Sequence, residues 1–213
     1  MGLFMAAKFD FRVFSFQFLL VASLPFLNGC VGAAIGAGAS VATAASEERG
    51  LNAAARDLAI RTKINALWLD HNDTLLTSAD VLISEGRVLL TGSVPTQKMR
   101  GDAVRLAWKA SGVKEVINEI QVTPSEGTSG FARDGWITTK LKTRLTLDSQ
   151  VVSINYAIDT VGGTVYLMGI AQDAAELARV RNHARQIPYV RRIVSHVIMK
   201  NDPRRQVNQA KKK

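Results

Sequence analysis

Trp136, Lys140 and Arg144 recur at four-residue spacing, so a helix carrying them sets an indole and two cations along one stripe, with Arg133 nearby. An amphipathic ring beside cations suits the layer where lipid head groups meet acyl chains. Little else in the chain has the makings of chemistry. The three His are scattered: His196 falls on the open face of a strand, His183 mid-helix, and His71 in a loop beside Asp70 and Asp73. The single Cys excludes an internal disulfide framework and a Cys-cluster zinc site. No Ser/His/Asp order, paired-carboxylate pocket or phosphate-loop glycine spacing accompanies them. These residues predict a non-catalytic protein with no cofactor and no metal.

The element that positions the stripe belongs to a repeat. Residues 60–122 match 137–199 at a shift of 77. Ile60 and Lys63 face Ile137 and Lys140, and Gly86 and Gly92 face Gly163 and Gly169. Val113, Val116 and Ile120 face Val190, Ile193 and Val197. Residues 123–130, rich in Pro, Gly and Ser, mark the boundary, which leaves domains at 52–122 and 131–200 and a basic tail at 201–213.

Each copy reads helix, strand, strand, helix, strand. Ile137, Leu141 and Leu145 lie on one helical face. Val165 and Leu167 alternate between two glycines, as in a half-buried strand that follows a turn at Gly162 and Gly163. Residues 172–186 have helical composition, Pro188 ends that helix, and 190–199 form the last strand. Two helices over a three-stranded sheet make a small α+β sandwich, here in tandem.

The repeat also supplies a control for the stripe. Ala59, Lys63 and Leu67 stand where the second copy has Trp136, Lys140 and Arg144, so the fold tolerates Ala in place of the indole. Trp68 instead matches Leu145, a core position. Three uses of Trp136 stay open: contact with a membrane, packing against the first copy, and capping the edge of its own core.

Charge separates the two copies. The chain carries a net +9, yet residues 52–122 hold nine Lys/Arg against eight Asp/Glu, while 129–200 hold ten against five. The tail adds five Lys/Arg against Asp202. Near an anionic surface each such cation is worth about 1 kcal/mol before screening, which makes the second domain and tail the electrostatic end of the chain.

Residues 1–29 form an export signal: Lys8 and Arg12 precede an uncharged apolar run over 13–27, shorter than the roughly 20 residues a spanning helix needs. Leu27-Asn28-Gly29-Cys30 then resembles the lipobox of bacterial lipoproteins, which implies that Cys30 is lipidated and becomes the mature N-terminus. An uncleaved signal anchor is the alternative, because residues 31–45 continue without charge, though they are mostly small. Val31 after the cysteine implies, by resemblance to lipoprotein sorting, release to the outer membrane with the body facing the periplasm. Residues 30–51 are read as the lipidated Cys and its tether. Export of this kind removes nucleic acid from the expected partners.

The α-β-β-α-β order, the Gly-x-Val-x-Leu-x-Gly hairpin and the closing Gly/Tyr-Val-x-x-Val/Ile run, which sets Gly112 against Tyr189, resemble the BON domain. Trp136 to Lys140 with Val165 to Gly169 is similar to the second domain of dual BON-domain outer-membrane lipoproteins. That resemblance implies a non-catalytic module that associates with phospholipid membranes. The expectation is a protein anchored through Cys30 that binds anionic phospholipid through Trp136, Lys140, Arg144 and Arg133, in support of outer-membrane integrity. The alternative is an adaptor whose partners are envelope assembly proteins.

Overall fold

The computed structural model describes residues 50–123 and 130–205, the side chain of Leu51 excepted. The expected signal peptide at 1–29, the expected lipidated Cys30 and tether up to residue 49, residues 124–129 and residues 206–213 lie outside the described residues.

Domain one runs α1 (Gly50–His71), α2 (Asp73–Ser78), β1 (Ala79–Ser84), β2 (Arg87–Val94), α3 (Gln97–Ala107), β3 (Glu115–Asn118) and β4 (Gln121–Val122). Domain two runs α4 (Phe131–Leu147), a 3-10 turn (Ser153–Asn155), β5 (Tyr156–Val161), β6 (Thr164–Ala171), α5 (Ala174–Arg185) and β7 (Arg192–Met199). In both, the central strand pairs antiparallel with its hairpin partner and parallel with the last strand, Val88 opposite Val116 and Val165 opposite Ile193. The α+β sandwich expected from the sequence is therefore present twice. Helix α1 continues through Asp70 to His71, so the loop expected there begins only at Asn72.

The internal shift of 77 is written into the local chemistry. Thr96 caps α3 by accepting from the Met99 N–H, and Asp173, its counterpart, caps α5 by accepting from the Glu176 N–H. Asp57 accepts from the N–H groups of Glu85 and Gly86 at 2.8 and 2.9 Å. Asp134 does the same for Gly162 and Gly163 at 2.7 and 2.9 Å, so each first helix is buckled to its own hairpin turn by one carboxylate. Gly92 and Gly169 have positive φ, and a Cβ on either would run into the carbonyl oxygen of Ser78 or of its counterpart Asn155.

Each domain has its own core between helices and sheet. In the first, Ile60, Ile64 and Trp68 meet Val81, Ile83, Val88 and Leu90; in the second, Ile137, Leu141 and Leu145 meet Ile158, Val165 and Leu167. Trp68 is fully buried, as its match to Leu145 required, and its indole N–H reaches the Ala103 carbonyl at 3.2 Å.

The opposite sheet faces are not open. Leu82 and Leu89 pack against Tyr166 and Met168, with Ile117, Ala157, Val161 and Val194 around them. The two sheets thus meet face to face, which gives a helix–sheet–sheet–helix stack. This corrects the reading of the Val165 strand as half-buried: β6 is covered on both faces. Polar contacts rim the junction, among them Thr91 donating to Asp159 at 2.6 Å and Gln121 to the Tyr166 hydroxyl at 3.2 Å. His196 meets Glu119 at 2.9 Å, and these two residues are counterparts in the repeat, as expected beside a local two-fold relation. His196 therefore lies under the other domain and not on an open strand face. Arg205 closes the far edge with two bonds to Glu85, at 3.0 and 2.9 Å.

Candidate functional site

The sheet faces are occupied by each other, so a partner can be met only on the helical faces and the loop ends. The two domains differ there. In domain two, the start of α4 and the loop between α5 and β7 come together at one end. Trp136 is 45% exposed and stands edge-on to Tyr189 with ring centroids 6.4 Å apart. The Arg133 guanidinium lies 4.9 Å from the Tyr189 ring centre, a cation–π contact. Tyr189 is itself 62% exposed, and Phe131 at the helix start 80%.

Of the expected residues, Arg133, Trp136 and Lys140 are exposed on α4. Arg144 is not part of the same arrangement: it is half-buried and its guanidinium turns to the His183 carbonyl of α5 at 3.4 Å. Arg191 and Arg192, both exposed, follow Tyr189 on the strand side of its loop. The ring contact of Trp136 is with its own domain's Tyr189, and nearly half of its surface is exposed.

Asp134 supplies the rigidity. It ties α4 to the turn at Gly162 and Gly163, while the Gly163 carbonyl accepts from the Arg191 N–H at 2.8 Å. The helix that bears Arg133 and Trp136 and the loop that bears Tyr189 are thus fastened to the same hairpin turn.

The carboxylates of domain two all point away from this role. Asp134 is spent on the turn, Asp173 caps α5, and Glu176 accepts from the N–H groups of Val152 and Gln172. Asp148 is bonded by His183 at 2.7 Å, and that bond, before the Gln150 N–H, holds its carboxyl below the usual carboxylate range. Asp159 sits in the junction, where burial pushes its carboxyl up. The five acids are inward or capping, so the domain presents cations. In domain one, an acid stands among the surface bases instead: Asp102 binds Lys98 and Arg105, each at 2.7 Å, while Glu115 binds the buried Arg87 at 2.7 Å.

Among the described residues no cluster of His, Cys, Asp and Glu could hold a metal ion, and no helix is long and apolar enough to cross a membrane. Two pockets, of about 90 and 190 Å³, flank the 3-10 turn and are lined by residues such as Ile154, Tyr156, Met168 and Lys142, without a carboxylate or imidazole.

The paired Asp57 and Asp134 escaped the sequence reading, although the shift of 77, extended three residues upstream of Ile60, aligns them. Tyr189 entered that reading only as the counterpart of Gly112 in the closing run, without a role at the site.

Fold and surface together define a tandem of small α+β modules joined through their sheets, one of them with a basic, aromatic end. The BON domain profile matches residues 56–124 and 133–201, and the chain belongs to the BON-domain family. It is 32% identical over 162 residues to the outer membrane lipoprotein DolP of Haemophilus influenzae, covering 75% of this chain and 84% of that protein. It is 43% identical over 146 residues to a protein encoded in the gshII 5′ region of Anaplasma centrale, covering 68% of this chain and 95% of that one. The osmotically inducible protein Y of Escherichia coli is 29% identical over 139 residues, covering 64% of this chain and 69% of its own length.

Proposed function

We propose that the protein is a lipid-anchored outer-membrane protein facing the periplasm, whose second BON domain docks on anionic phospholipid and thereby supports envelope integrity without catalysis. The observation that carries this reading is the exposed cluster of Trp136, Tyr189 and Arg133 on a domain whose five carboxylates are all turned inward or used as caps. Amphipathic rings flanked by unopposed cations are matched to a layer of phosphates above acyl chains. The similarity to an outer membrane lipoprotein supports the location, and Cys30 is the residue that would bear the lipid. Tethering raises the local concentration at the surface, so a weak second contact is enough to hold the domain down.

An adaptor role has one observation in its favour. Leu58 and Trp108 on domain one are 64% and 52% exposed, in surroundings of mixed charge that suit a protein surface better than a lipid one.

Co-sedimentation of residues 43–213, one compact unit that contains both cores, tests the proposal. Binding to vesicles containing phosphatidylglycerol, absent with neutral vesicles, weakened by salt and by Trp136→Ala, is the expected result. Equal binding to neutral vesicles, or none at all, would leave the adaptor reading in its place.

A further inference from the structure

Tyr189 is a tyrosine in a backbone conformation that belongs to glycine. Its φ is +69°, and its counterpart in domain one, Gly112, has φ +93° in the equivalent loop. A bulky side chain in the left-handed region is strained, and it persists only where the surroundings impose it or where the side chain is needed. The surroundings do not need it for packing, because the ring is 62% exposed and contributes to neither core. Its contacts are Trp136 and Arg133, two residues of the proposed docking end. The loop itself is fixed through Gly163, where an added Cβ would meet the Tyr189 carbonyl oxygen at 2.8 Å, the same close approach that Gly86 makes to Gly112 in domain one. The backbone is thus built for glycine in both copies, and only domain two places a ring on it.

We infer that Tyr189 is the anchor of the docking end: a second aromatic ring that orders Arg133 and Trp136 and enters the head-group layer of an anionic phospholipid membrane with them. The inference rests on the lipid-docking reading and adds to it the residue that sets the geometry. The occupant follows from charge: Arg133 lies over the ring, Arg191 and Arg192 follow Tyr189 in the chain and are exposed, Lys140 is exposed one turn beyond Trp136 on the helix, and the Asp134 carboxylate is bonded to two backbone N–H groups. Because the ring works against the backbone that carries it, stability and binding should respond to its removal in opposite directions.

The test pairs Tyr189→Gly with Tyr189→Asn, both of which accept left-handed backbone, and adds Tyr189→Phe. Binding of residues 43–213 to phosphatidylglycerol-containing vesicles should fall about five- to tenfold for Gly and Asn and stay within about twofold for Phe. The Tm of the Gly variant should hold or rise by a few degrees. Wild-type affinity in the Gly and Asn variants, with Trp136→Ala still impaired, would overturn the role of Tyr189 and leave lipid docking intact. A Tm for the Gly variant well below wild type would make the ring a structural plug and overturn it as well. If the wild-type protein itself ignores anionic vesicles, docking and anchor fall together.

Discussion

Domains one and two are built by the same devices and finished differently. Asp57 and Asp134 buckle helix to hairpin, Thr96 and Asp173 cap the second helix, and Gly92 and Gly169 admit the same close backbone approach. The copies differ inside, where Trp68 of the first core stands at Leu145 of the second, and outside, where Ala59 becomes Trp136 and Gly112 becomes Tyr189. Acids pair with Lys98 and Arg105 in domain one, whereas in domain two ten Lys/Arg outnumber five Asp/Glu. What is shared holds the fold, and the exposed differences are free to serve binding.

The cores should show the largest effects, and equal ones. Trp68→Ala and Leu145→Ala occupy one position of the repeat, and each should cost about 3–5 kcal/mol in chemical denaturation. A loss confined to one domain would break the equivalence. Next comes the junction. Leu89→Ala and Met168→Ala remove side chains buried between the sheets and should cost about 2–4 kcal/mol each. Together they should split a single unfolding transition into two, seen by following Trp fluorescence and far-UV circular dichroism in parallel.

The buckles separate stability from binding. Asp57→Ala and Asp134→Ala each strand two N–H groups and should cost about 1–3 kcal/mol. Only Asp134→Ala should also weaken vesicle binding, because only that turn fixes Trp136 and the Tyr189 loop.

Titration of two aspartates gives the smallest effects, opposite in sign. Burial raises the Asp159 carboxyl above its ordinary value of 3.8. Its contribution is therefore full below that value and is lost as pH rises through the raised folded value. Asp159→Asn keeps an acceptor for Thr91, so it should stabilise the protein at pH 7 and lose that advantage as pH falls towards 4. Asp102, held well below its ordinary value of 3.8 by Arg105, Lys98 and His71, contributes fully above that ordinary value and loses the contribution progressively as pH falls through it towards the lowered folded value. Denaturation of Asp159→Asn and Asp102→Asn between pH 3 and 7 checks both signs.

The repeat made most of the fold legible, because a shift of 77 cross-validates each helix and strand against its copy. Trp68 could be placed in the core for that reason alone. The face-to-face junction was not legible. Tyr166 and Met168 alternate with Val165 and Leu167, but a sheet face that meets another domain carries Tyr, Met, Thr and Asp, which one sequence cannot tell from a solvated face. Helical periodicity put Arg144 in line with Trp136, and it lies on that side of α4. The neighbouring helix, which periodicity does not contain, takes its guanidinium. The alignment with Gly112 showed Tyr189 in the sequence, but its left-handed backbone and its contacts with Trp136 and Arg133 lie in a loop, where no periodicity speaks.

The central claim is that domain two, through one end, is the part that meets the membrane. Backbone NMR of residues 43–213 with phosphatidylglycerol bicelles carrying a head-group spin label tests it residue by residue. The account predicts strong broadening at Arg133, Trp136, Lys140, Tyr189 and Arg191, and little at Leu58 or Trp108. Broadening centred on Leu58 and Trp108, or spread evenly over both domains, would contradict it.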